Sequence, residues 1–257
     1  MKSKLVLTLL GIAFASRISF INPAVPIVGG NEVSPKFKYL WMVPITVMDF
    51  HTRGGILYNR NTVVTNAQFS LDEGIQLTAH VHRHNLEIYE SSEKGKTYNV
   101  LKHIVHLKYK KDTYSYDVAI WKLDAQSEPS TGIKLNDDKY SNADNTLLKV
   151  IGRGTDTSET SETSSALNEV KVPVYNITKC KQAYPKLDAE SQFCAGYPKG
   201  GKYAWIGDSG GPIFIQGGSD TVLVSTISCG YDCGREGFLG IYTRASAITD
   251  FIKKNSS

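Results

Sequence analysis

The sequence predicts an all-β fold, and three observations carry that prediction. Short apolar, β-branched runs recur from Tyr39 onward, separated by clusters of Gly, Asn and Asp. No long amphipathic helical period appears before Ala247 to Lys254 at the C-terminus. The 257 residues are enough for one large β unit or two small domains with a sizeable core. Strands at close spacing with tight turns imply a sandwich or a barrel, not βαβ units.

The chain opens on a segment that reads as a secretory signal over residues 1–15. Lys2 and Lys4 form the charged start, Leu5 to Phe14 the apolar run, and Ala13-Phe14-Ala15 a small-x-small cleavage site. That run is too short to span a bilayer comfortably, so a soluble, exported product with no membrane association after signal removal is expected. Residues 16–26 form a short propeptide-like piece ending at Pro26. Net charge is +4, or +2 (4 − 2) without Lys2 and Lys4, which argues against nucleic acid as a partner and predicts no strongly basic stripe.

Strand-like runs follow at Trp41 to Val47, Gly54 to Leu57 and Thr62 to Thr65. Thr155 to Ser165 is a polar tract, read as one surface loop. Asn176-Ile177-Thr178 and Asn255-Ser256-Ser257 are glycosylation sequons, the first being the candidate site. Export makes disulfides plausible among Cys180, Cys194, Cys229 and Cys233, for which three pairings exist.

Chemistry concentrates in Gly207-Asp208-Ser209-Gly210-Gly211-Pro212, a serine among glycines where a substrate and backbone N–H groups can approach closely. Together with Ile27 to Gly30, Asp117-Val118-Ala119-Ile120, Phe193 to Tyr197 and Gly240 to Thr243, in that order, this stretch resembles the trypsin/chymotrypsin family of serine proteases. The resemblance runs from Ile27 to about Lys254. It implies two six-stranded antiparallel β-barrels, over about 27–135 and 136–245, a C-terminal helix over about 246–254, and an active site between the barrels.

By resemblance Ser209 is the nucleophile, Asp117 the aspartate that orients the base, and the Gly207 and Ser209 amides the oxyanion hole. Ile27 and Asp208 match the pair formed when cleavage frees an α-amino group, although Pro26 is not a tryptic cleavage residue. The histidine position reads Gln68, and a glutamine amide has no basic ring nitrogen to take the Ser209 proton. Of the six histidines, His51 is the candidate rescue base. His80, His82 and His84 alternate; as a strand they form a solvated face, the outer two about 13 Å apart and unable to share one ion. No metal or other cofactor is expected. Glu90 and Glu93 match acidic positions of a calcium loop, but Arg83 stands where another carboxylate is wanted and is expected to pair with them.

The resemblance implies a Cys180–Cys194 disulfide, and places Arg53 and Phe69 at the two positions of a bridge this chain lacks. Trp205 replaces one cysteine of the bridge beside the nucleophile, leaving Cys233, for which a local Cys229–Cys233 bond is the reading and two free thiols the rival. The specificity pocket maps to Tyr203, Ala204, Gly230 and Gly240, with no acid to attract a basic side chain. The expectation is therefore a secreted, monomeric, catalytically inactive serine protease homologue that binds a protein partner or polypeptide ligand, as an inhibitor or decoy. The alternatives are an active or weakly active endopeptidase of apolar specificity, and a structural module.

Overall fold

A computed structural model describes residues 27, 29–70, 75–127, 133–136, 139–155, 163–200, 204, 207–217, 220–229 and 239–256. Residues 1–26, with the expected secretory signal and propeptide-like piece, lie outside them. The strands are β1 (Asn31–Glu32), β2 (Met42–Val47), β3 (Phe50–Asn59), β4 (Thr62–Thr65), β5 (Leu77–Val81), β6 (Lys96–Val105) and β7 (Ala119–Leu123). They continue with β8 (Lys134–Leu135), β9 (Leu147–Gly152), β10 (Asn168–Tyr175), β11 (Gln192–Ala195), β12 (Pro212–Gly217), β13 (Asp220–Cys229) and β14 (Gly240–Arg244). Two α-helices, α1 (Ile177–Ala183) and α2 (Ala245–Asn255), and a short 3-10 helix at Glu90–Glu93 complete the described elements.

Two closed six-stranded antiparallel barrels result, as expected from the sequence. The first runs β2-β3-β4-β7-β6-β5. The second runs β10-β11-β14-β13-β12-β9 and closes through the β9–β10 pairing, with β1 and β8 added on β10 and β13. Closure leaves few open strand edges. Alternation explains the packing: in β10 the residues Asn168, Val170, Val172 and Val174 turn inward and those between them face outward.

Val43, Leu57, Val63 and Trp121 fill the first barrel, and Val150, Val172, Phe193 and Tyr242 the second. A third cluster glues the barrels together: Trp41 of the first-barrel side meets Phe214 of β12 edge-on at 5.0 Å, and Tyr39 meets the same ring at 5.2 Å. Ile248 and Ile252 of α2 are buried in it, so the closing helix seals the interface. Each barrel is bent by bulges. Two of these lie at Leu101 in β6 and Ser228 in β13.

Candidate active site

Chain segments from both barrels converge where the barrels meet. Tyr116, in the left-handed region at φ 52°, turns the chain so that Asp117 enters the interior fully buried. Its Oδ1 accepts the Gln68 backbone N–H at 2.8 Å, and its Oδ2 accepts the Gln68 Nε2–H at 3.1 Å and the Ser228 Oγ–H at 2.5 Å. Burial pushes the Asp117 carboxyl up to about 6, against the pull of these donors.

Gln68 Nε2 also donates to the Ser228 carbonyl. Both of its partners are acceptors, so the amide nitrogen rather than the oxygen must face them, and both N–H groups are used. What remains is an acceptor oxygen that cannot carry a proton away. Ser228 reaches Asp117 because it is the extra residue of the β13 bulge, lying between the Ile227–Tyr242 and Cys229–Ile241 pairs. Sequence reasoning did not single it out, and nothing in its local pattern marks it.

Ser209 lies half-buried in a turn pinned on three sides. Gly54 N–H donates to Ser209 O at 2.9 Å, Gly210 N–H to Ile227 O at 2.8 Å and Gly211 N–H to Asp208 O at 2.9 Å. Gly210 sits at φ 80°, where a Cβ would run into Thr65 Oγ1 and the Gly54 carbonyl, so the turn requires glycine. No hydrogen bond reaches the Ser209 hydroxyl among the described residues.

His51 enters from β3 and donates Nε2–H to the Gly207 carbonyl at 3.1 Å. Burial pushes it down to about 3, so it is neutral, and its free lone pair sits on an enclosed Nδ1. That nitrogen makes no hydrogen bond to Ser209. Asp208 is fully buried, takes the Gly154 N–H on Oδ1 at 2.6 Å, and lies in a cradle that a Cβ on Gly152 or Gly154 would close. Between those glycines Arg153 is also fully buried, donating through Nη2 to the Arg83 and His84 carbonyls at 2.9 and 3.1 Å. Sequence reasoning missed this tie between the nucleophile region and the first barrel. Ile27 is buried in the second core.

Arg53 and Phe69 are brought together. Arg53 Nη1 donates to the Phe69 carbonyl at 2.9 Å and its guanidinium lies 4.0 Å over the Phe69 ring, a non-covalent clip where the family resemblance places a disulfide. Cys180 and Cys194 are bonded, with 6.1 Å between their Cα atoms. Ala204 is buried in the second core, and Gly240 opens β14 opposite Ala195. Tyr203, Trp205, Gly230 and Cys233 lie outside the described residues, and of Cys229 only its backbone place at the end of β13 is described. Beside the Asp117 loop, Tyr114, Tyr184, Pro185, Leu187 and Ile241 help line a cavity of about 510 Å³.

Arg83 spends its guanidinium as a cation would be spent. Nε donates to Glu93 Oε2 at 2.8 Å, Nη1 lies 3.8 Å from Glu90 Oε2, and Nη2 donates to the carbonyls of Asn85 and Ile88 at 3.1 and 2.6 Å. The three alternating histidines do not form the expected solvated face. β5 ends at Val81 and His82 turns to φ 60°, which breaks the alternation. His80 hydrogen-bonds with Thr46 and Thr97, His82 stacks on Phe37 at 4.7 Å, and buried His84 donates to Glu32 at 2.8 Å. Among the described residues no group of His, Cys, Asp or Glu is arranged to hold a metal ion. Asn176 caps α1, accepting from the Thr178 and Lys179 N–H groups and donating to Asp144, so its amide has a structural use.

Two barrels with a serine turn and a buried aspartate at their junction define a serine-protease-type scaffold. A family model, Trypsin, matches residues 27–252. Trypsin-1 of Astacus astacus is 32% identical over 243 residues, covering 90% of this chain and 100% of its own length. Trypsin of Phaedon cochleariae is 31% identical, covering 98% and 97%. The clotting factor G beta subunit of Tachypleus tridentatus is 29% identical, covering 89% and 79%. This chain belongs to the trypsin family. Among the described residues no helix is long and apolar enough to cross a membrane.

Proposed function

We propose that this chain is a secreted, proteolytically silent member of the trypsin family that works by binding a partner polypeptide, as an inhibitor or decoy. One observation carries the reading: the side chain against Asp117 Oδ2 is the Gln68 amide, with both N–H groups committed to acceptors. Acyl transfer by this family needs a base that takes the serine proton and later gives it to the leaving amine. An amide does neither near neutral pH. Loss of the base costs such an enzyme about 10⁶-fold in kcat. The neutral, enclosed His51 ring offers no substitute.

The rest of the scaffold is kept, which suits a protein that presents a protease-shaped surface. Asp117 holds Gln68 and Ser228 together, and the serine turn is fixed by backbone hydrogen bonds that need no catalytic role. Hydrolysis of fluorogenic peptides with apolar side chains at the cleaved position, by wild type and Gln68→His, tests the reading. Wild type is expected at the buffer rate, with the variant at least about 10²-fold above it. A wild type that cleaves peptides and is no better for gaining the histidine overturns it. A silent variant would place a second block in the specificity pocket or at the unprocessed N-terminus.

A further inference from the structure

The modest net charge conceals a concentrated basic surface. Residues 94–111 hold six lysines, two histidines and no acid. This corrects the expectation that no basic stripe exists. The stretch is β6 and the turn after it, on the outside of the first barrel. Lys102 stands directly across from Lys122 of β7, a like-charge pair that opposes folding. The Lys122 ammonium is pulled down by burial and by Lys102.

Two leucines are set among these charges. Leu101 is the extra residue of the β6 bulge, between the Val100–Leu123 and Lys102–Lys122 pairs, and the bulge turns Leu101 and Lys102 together into solvent. Leu101 is 70% exposed and Leu107 100% exposed. Lys108, Lys110 and Lys111 follow, and the stretch then runs into Asp112, Thr113 and Tyr114 on the wall of the 510 Å³ cavity beside the Asp117 loop. From the neighbouring helix, Phe251 of α2 meets the His106 ring at 4.7 Å, and Lys253 and Lys254 end that helix. Among the described residues, the acids that border the stretch include Glu90, which accepts from Thr97 of β6, Asp124 beside Asn99, Asp112 and Glu190 at the far end, and Asp250 on the helix. Lys108 reaches Glu190 only at 4.0 Å, with both side chains largely exposed.

We infer that the surface from Leu101 of β6 to Lys111 of the turn after it is a docking surface for an acidic protein surface with apolar side chains of its own. Exposed Lys102, Lys108, Lys110 and Lys111 supply the charge complementarity and steering, and the two leucines supply the anchors. The leucines favour a protein over a sulfated polysaccharide, which has no use for apolar anchors. They are separated by roughly 20 Å of chain, with half-buried residues between, which suits a long protein contact better than a tip inserted into lipid. The inference rests on the reading of this chain as a partner-binding homologue and names the chemistry of that partner.

Two fluorescein-labelled peptides test it on the full secreted chain by anisotropy at low salt: a Glu-rich peptide with two leucines spaced about 20 Å apart when extended, and the same peptide with serines instead. The leucine peptide is expected to bind at least about tenfold tighter than its serine counterpart. Leu101→Ser with Leu107→Ser should abolish that difference. Lys102→Gln with Lys108→Gln should weaken both peptides and lower the salt dependence, with melting no lower than that of wild type as the folding control. Equal affinity for the two peptides, no binding of either, or indifference to the lysine substitutions overturns the inference. So does tighter binding to phosphatidylserine vesicles or to heparin. Peptidase activity is measured on the same sample, so a failed titration with a silent enzyme removes the surface and leaves the proposed function standing. An active enzyme that still binds the leucine peptide does the reverse.

Discussion

Gln68 is fastened to Asp117 twice, by its backbone N–H on Oδ1 at 2.8 Å and by its side-chain amide on Oδ2 at 3.1 Å. With Ser228 Oγ as a third donor, the carboxylate is the hub of a buried network joining the two barrels. On the proposed reading its role in this chain is structural. Asp117→Ala leaves those donors buried without an acceptor and is expected to cost about 2–4 kcal/mol in urea unfolding. Ser209→Ala is expected to fall within about 0.5 kcal/mol of wild type, because no hydrogen bond reaches its hydroxyl among the described residues. The reverse order would mean that the serine, not the aspartate, is the fixed point of the site.

Acid should weaken the fold through His51. Its ring is held down at about 3 in the folded state against an ordinary 6.5. The unfolded chain therefore takes up a proton that the folded chain refuses, and stability falls as pH drops from 6.5 toward 3. His80, His103 and His106, also lowered by burial, act in the same direction. Asp117 acts oppositely: raised to about 6, it takes its proton in the folded state first and gains stability as pH falls from 6 to 3.8. His51→Gln keeps an N–H for the Gly207 carbonyl and should remove about 1.4 kcal/mol per pH unit from the slope of stability between pH 6 and 4. An unchanged slope in equilibrium unfolding would show that His51 protonates freely.

Arg83 is expected to leave the wild type indifferent to calcium. Its guanidinium meets two glutamates and two backbone carbonyls, and Glu93 is almost wholly buried beneath it. Removing the cation strands a buried carboxylate, so Arg83→Met is expected to cost about 3–5 kcal/mol. Arg83→Glu, which gathers three carboxylates, should melt higher on adding calcium, whereas wild type should not respond. A calcium-dependent rise in the wild-type melting temperature contradicts this.

Legibility followed how local each signal was. The runs at Met42–Val47 and Thr62–Thr65 and the closing helix could be read from composition and period. Ser209 and Asp117 could be read because their flanking residues are constrained by tight backbone geometry. The hairpin at Met48 and Asp49 could not. Both residues take the left-handed turn conformation, φ 49° and 67°, without the Asn or Gly that usually announces it. α1 is only seven residues long, and its cap, Asn176, read more readily as a sequon. Ser228 and Arg153 were invisible because a bulge and a long-range fold contact, not sequence neighbours, give them their partners. The histidine trio misled because strand alternation was extended past Val81, where the strand stops.

Labelling of Ser209 by a fluorophosphonate probe tests the central claim most directly. The reagent reports whether a base activates the serine hydroxyl, independent of any peptide sequence. With Gln68 against Asp117, the protein should remain unlabelled under conditions that label an active trypsin completely. Stoichiometric modification of Ser209, lost on Ser209→Ala, would contradict the account.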